Sequence, residues 1–102
     1  MRTLRNIHPG EVLKEEFLEP MGISVYRLSK ETGLSQTRIS QIVKGERSIT
    51  AETALKLGKF FDVPPEFWMN LQALYDIEEA QKRYKKDIES IHTFSDSKRA
   101  AA

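Results

Sequence analysis

The sequence has no cysteine, which excludes disulfide staples, thiolate nucleophiles and cysteine-based zinc sites. Histidine is scarce too: His8 and His92 stand at opposite ends of the chain, so neither a metal site nor a histidine-based catalytic group is expected. No apolar run approaches the roughly 20 residues that a bilayer-spanning helix needs. The opening MRTLRNIHPGE has a basic start but no apolar stretch after it, so no secretory signal is visible and the expected compartment is the cytoplasm. Neither sign of charge dominates, with 16 Lys and Arg against 15 Asp and Glu. No alternating apolar pattern of useful length reads as a strand. What remains, at 102 residues and 39% hydrophobic, is enough for one small core, and excludes a chain disordered throughout.

Five glycines and four prolines are few enough that each acts as punctuation. Pro9 suits a first helical turn, and Val12, Leu13, Glu16 and Phe17 follow with helical spacing until Pro20 and Gly22. His8 is expected to cap or pack against this helix. Ser24 caps a second helix, with Arg27 where a capping-box Glu would stand, and Gly33 ends it. Ser35 caps a third, whose Ile39, Ile42 and Val43 form an apolar stripe, and Gly45 stops it. Thr50 caps a fourth, expected to bury Ala54, Leu55, Leu57, Phe60 and Phe61 until Asp62-Val-Pro-Pro. Pro65 opens a fifth helix with no Gly or Pro before His92. The expectation is an all-α domain over residues 1–92, with a disordered tail at 93–102.

The segment Val25 to Gly45, VYRLSKETGLSQTRISQIVKG, carries the function. Two short helices meet at a turn of about three residues. A helix-turn-helix needs a small residue where the helices cross, a residue tolerant of positive φ four positions later, and a branched apolar anchor six further on; Ser29, Gly33 and Ile39 meet these demands. From Ile23 to Arg47, five basic residues (Arg27, Lys30, Arg38, Lys44 and Arg47) face two acidic ones, Glu31 and Glu46. With Ile39 and Ile42 inward, Gln36, Thr37, Arg38 and Gln41 are candidates for reading base edges, because glutamine can pair with adenine, arginine with guanine and the Thr methyl with the thymine methyl. Ser24, Arg27, Ser40, Lys44 and Arg47 are candidates for contacts to the DNA backbone, which position the protein rather than specify sequence.

The segment resembles the Cro/λ-repressor (XRE) family. IHPGEVLKEEFLEPMGIS before it and SITAETALKLGKFFDVPPEFWMNLQALYDIEEA after it resemble more narrowly the HigA-type antitoxins, also called plasmid-maintenance antidote or virulence-associated protein I proteins. The likeness spans roughly Ile7 to Ala80, and IHPGE and PPEFWMNLQ are its most specific pieces. It implies a five-helix λ-repressor-like DNA-binding domain with an extended C-terminal helix, homodimerisation on a palindromic operator, repression of its own operon, no cofactor, and pairing with a RelE-like mRNA-cleaving toxin. One departure stands out. Val25 occupies the position where many repressors of the wider family carry a Gln that helps hold phosphate, leaving that task to a backbone N–H or to Ser24.

Phe67, Trp68, Leu71, Leu74 and Tyr75 form a dense apolar stripe. Phe67 and Leu71 are expected in the core, and Trp68, Leu74 and Tyr75 on a dimer or partner surface. Tyr84, Ile88 and Ile91 continue the helical spacing as a second such candidate. A helix from Pro65 to His92 would be about 42 Å long, more than a domain of about 13 Å radius can cover. Glu15, Glu16 and Glu19 read as a solvated face. No nucleophile–base pair, metal spacing or phosphate loop points to an enzyme. The rival readings are an orphan phage-type or mobile-element regulator without a toxin, and a helical adaptor that binds only protein.

Overall fold

Six helices make up residues 5–95, the part of the chain described by this computed structural model, and there is no strand among the described residues. The N-terminal helix α1 covers residues 9–21. Its ends, Pro9–Val12 and Glu19–Met21, are α-helical, and Leu13–Leu18 between them is π-helical. Pro20 explains the wider middle. A proline ring inside a helix crowds the carbonyl four residues earlier and offers no N–H. In the widened turn the Glu19 N–H reaches back five residues to the Lys14 carbonyl, which relieves that crowding.

His8 starts α1. Its Nδ1 accepts from the Gly10 N–H at 2.9 Å, and the Glu11 carboxylate accepts from the His8 N–H, a reciprocal capping box. Arg5 grips that carboxylate with two bonds of 2.7 and 2.6 Å and holds Glu11 below the usual carboxylate range. Burial pushes the His8 imidazole below its ordinary value of about 6.5, against the opposing pull of Glu11 and Asp76. The unfolded chain therefore binds the proton more readily than the folded one. The stability that His8 contributes is complete above about pH 6.5 and is lost as the pH falls below it. His8→Asn keeps a cap acceptor without titrating. Melts between about pH 7.5 and about pH 5 should show a steeper loss for the wild type than for His8→Asn; parallel losses would remove His8 from the acid response.

Helices α2 (Val25–Thr32), α3 (Gln36–Val43) and α4 (Ala51–Phe61) begin at Ser24, Ser35 and Thr50. Each cap hydroxyl accepts the N–H three residues on. Gly33, at φ +80°, turns α2 toward α3 through a left-handed conformation that a side chain would strain. The core they enclose consists of Leu13, Leu18, Leu28, Leu34, Ile39, Ile42, Ile49, Ala54, Leu57 and Trp68. Leu55, expected inside, is 60% exposed; it points away while its neighbours Ala54 and Leu57 hold the buried face of α4. Gly10 sits so close to the end of α3 that the two backbones touch: a Cβ there would lie 1.7 Å from the Ile42 carbonyl oxygen.

Helix α5 (Pro65–Arg83) departs most from expectation. Trp68, expected on a dimer surface, is fully buried and is packed by the rings of Phe17 and Phe67, each about 5.0 Å away centre to centre. Phe67, expected in the core, is 37% exposed, and Leu71 is half-buried. Tyr75 also faces its own domain: its ring meets His8 edge-on at 4.8 Å, and its carbonyl accepts from Asn6 Nδ2. The buried face of α5 thus runs through Trp68 and Gln72. The Gln72 amide is fully used. Its oxygen accepts from the Ile49 N–H at 2.7 Å, and its nitrogen donates to Asp76 and Ser48. One buried amide therefore clamps the loop after α3 onto α5.

The long helix also stops early. Tyr84 leaves helical geometry (φ −111°, ψ 24°), and a short α6, Lys85–Glu89, follows. No Gly or Pro marks the break. Lys82, Arg83, Lys85 and Lys86 place like charges three and four residues apart, which destabilises a helix. No described residue from 81 onward is buried to oppose that. This arm leaves the domain, and the molecule measures 63 × 31 × 22 Å. Residues 1–4 and 96–102 lie outside the described part, including most of the expected disordered tail.

Candidate nucleic-acid interface

The helix-turn-helix presents one end of α3. The Ser35 cap fixes where the helix starts, Ile39 and Ile42 anchor it in the core, and the turn at Gly33 sets α2 behind it. That leaves Gln36 and Thr37 exposed on the first turn, with Arg38, Ser40 and Gln41 partly covered further along. Lys44 and Arg47 are exposed where the helix ends. The four base-reading candidates and three of the backbone candidates therefore belong to one helix and the loop that leaves it.

Two of these side chains are already held. The Arg38 guanidinium donates to Glu52 at 3.3 Å, and the other Glu52 oxygen accepts from Lys56 at 2.8 Å. Lys56 and Arg38 together hold the Glu52 carboxyl below its usual range. Gln41 Oε1 accepts from Arg47 Nη1 at 2.9 Å. Sequence reasoning missed both partners. Glu52 lies across a loop from Arg38, and nothing in the spacing between them signals a contact.

The other backbone candidates sit at the start of α2. The Ser24 hydroxyl is occupied in capping, accepting from the Arg27 N–H at 3.0 Å. The Arg27 side chain is exposed and lies 3.7 Å from Glu31, one turn on. Val25 packs against the core, so it presents no polar group in place of the family's Gln. Tyr26 was not singled out from the sequence, yet its ring is exposed beside Lys30, whose ammonium lies 5.8 Å from the ring centre. The surface thus offers cations for phosphate and amide, hydroxyl and guanidinium groups for base edges. Among the described residues no cluster of His, Asp or Glu could hold a metal ion. No described helix is long and apolar enough to cross a membrane.

The dimer candidates divide. Leu74 is 66% exposed, and Ile77, where the later apolar stripe begins, is 54% exposed. Both lie on the side of α5 away from Trp68. With Ile7, Val12, Leu71 and Tyr75 they line an open groove between the N-terminal segment and α5. Tyr84, Ile88 and Ile91 are exposed on the arm.

Comparison with known proteins finds the helix-turn-helix family matching residues 14–68, a little over half of the chain. Virulence-associated protein I of Dichelobacter nodosus is 46% identical over 76 residues, 74% of this chain and 70% of that protein. Among solved structures, an addiction module antidote protein of the HigA family from Coxiella burnetii is 46% identical. Its TM-score is 0.84, over 89% of this chain and 100% of that one. The antitoxin HigA of Pseudomonas aeruginosa, solved with the higBA promoter, is 38% identical. Its TM-score is also 0.84, over 88% of this chain and 99% of that one.

Proposed function

The chain belongs to the helix-turn-helix family, and on that premise we propose that it is a sequence-specific DNA-binding repressor, the antitoxin of a toxin–antitoxin operon. The observation that carries the DNA-binding part is the exposed polar end of α3 on a helix-turn-helix scaffold that matches a HigA antitoxin solved with its promoter. In this reading α3 enters the major groove by its N-terminal end. Gln36, Thr37, Arg38 and Gln41 read bases, and Lys44, Arg47, Ser40, Arg27 and Ser24 position the protein on phosphates.

The test is a duplex titration at several salt concentrations. Affinity should fall steeply with salt, because each phosphate contact releases counterions. Gln41→Ala should cost roughly 1–3 kcal/mol on the cognate operator and little on random duplex. Equal losses on both would remove Gln41 as a base reader. No binding even at low salt would favour a protein-binding adaptor instead.

The repressor acts as a homodimer on a palindromic operator, holding two α3 helices about one turn of DNA apart. The exposed Leu74 and Ile77 support a dimer face on α5, since each large apolar side chain covered returns about 1.5–3 kcal/mol. Changing both to Glu should give a monomer in sedimentation with helical content unchanged. Operator affinity should drop because two half-sites are no longer linked. A double variant that stays dimeric would move the interface to the arm of Tyr84, Ile88 and Ile91. The antitoxin role rests on the relatives' names, and its partner in this reading is a RelE-like mRNA-cleaving toxin. A small toxin reading frame adjoining this gene is expected; its absence leaves an orphan repressor with the same DNA chemistry.

A further inference from the structure

The contact between Gln41 and Arg47 bears on which base this protein reads. It follows from how α3 ends. Gly45 adopts φ +78°, and the Glu46 N–H bonds back to the Gln41 carbonyl at 2.8 Å. That closure folds the chain under Gln41 and brings Arg47 beside it, where Nη1 donates to Gln41 Oε1 at 2.9 Å.

A guanidinium has five donors and no acceptor, so the amide atom that faces it is the oxygen. The Gln41 amide therefore cannot turn over while Arg47 holds it. An unrestrained glutamine recognises adenine with both ends of its amide, accepting from N6 and donating to N7. Here one lone pair of Oε1 is engaged by a cation, whose N–H groups repel an amino group approaching the other, and the donating Nε2 is the end free to meet the DNA. Nε2 and the remaining guanidinium N–H groups together form a positively charged surface dominated by donors. Such a surface matches guanine N7 and O6 or thymine O4, and it mismatches the amino groups of cytosine and adenine.

We propose that Arg47 is a specificity-determining positioning residue: by holding Gln41 Oε1 it turns Gln41 from an adenine reader into a reader of acceptor edges, guanine or thymine. The proposal rests on the reading of α3 as the recognition helix and deepens it.

The experiment selects duplexes from a randomised pool with the full chain. It then measures the wild type, Gln41→Ala and Arg47→Met on every single-base variant of the selected duplex. One operator position should lose its base preference in Gln41→Ala. At that position the wild type should prefer guanine or thymine over adenine by about fivefold or more. Arg47→Met should shift the preference toward adenine. Two results overturn the proposal while leaving Gln41 a base reader. One is a wild-type preference for adenine at that position. The other is an Arg47→Met chain that keeps the wild-type preference and only weakens all duplexes alike with a shallower salt dependence, the behaviour of a simple phosphate contact. If Gln41→Ala changes no position in particular, the base-reading role of Gln41 fails first, and the proposal with it.

Discussion

Gly10→Ala is expected to lose about 3 kcal/mol or more, a fall in melting temperature of roughly 12 °C or more for a domain of this size. The ordinary rule has the opposite sign, since alanine favours a helix over glycine by roughly 0.5–1 kcal/mol. Local contact reverses it. The new Cβ would stand 1.7 Å from the Ile42 carbonyl oxygen and 2.6 Å from its carbon, and both are backbone atoms that cannot rotate away. Either α1 lifts off α3 or the end of α3 moves. The Ile42 carbonyl also accepts the N–H groups of Lys44 and Gly45 that close the helix. Movement there reaches the recognition surface, so operator affinity should fall together with stability. Gly22→Ala is the control: unlike Gly10, Gly22 has a positive φ, and no atom lies within 4 Å of its added Cβ. It should cost about 1–2 kcal/mol. Equal melting temperatures for the two variants would mean that α1 and α3 do not approach this closely.

Trp68→Ala should be of similar size, a loss of about 3–5 kcal/mol, as for a large aromatic removed from a closed core. The indole sits among Phe17, Phe61 and Phe67 and touches all three rings. Trp68→Phe keeps one ring for these neighbours. It also gives up no hydrogen bond to a protein group, because the indole N–H has no such partner. It should lose about half as much or less. Circular dichroism is the measurement to use, since Trp68 is the chain's one tryptophan and its fluorescence goes with it. If Trp68→Ala folded as well as the wild type and became monomeric, Trp68 would be an interface residue after all.

The helix starts were legible because their cause is local. Ser24, Ser35 and Thr50 each satisfy an N–H three residues away, and such a bond needs no knowledge of the rest of the chain. Gly33 and Gly45 were legible for the same reason: a left-handed turn is a property of a few consecutive residues. The turn and the stripe of Ile39 and Ile42 located the helix-turn-helix and the outward face of α3.

The stripe on α5 was not legible in the same way. Phe67, Trp68, Leu71, Leu74 and Tyr75 offer two apolar faces about one residue apart around the helix, and periodicity alone does not choose between them. Phe17 from α1 and Phe61 from α4 choose, by leaving a cavity that the indole fills. The same holds for Gln72, whose value as a clamp exists only once the Ile49 N–H is brought beside it. The break at Tyr84 comes where the described residues beyond Ala80 are all exposed, which the run of helical spacing concealed. The starts at Ser24, Ser35 and Thr50 and the turns at Gly33 and Gly45 were thus written into the chain locally, because caps and left-handed glycines act over a few bonds. Which face of α5 is core, how close α1 lies on α3, and which partners hold Arg38 and Gln41 emerge only on folding, because those depend on groups brought together from separate elements.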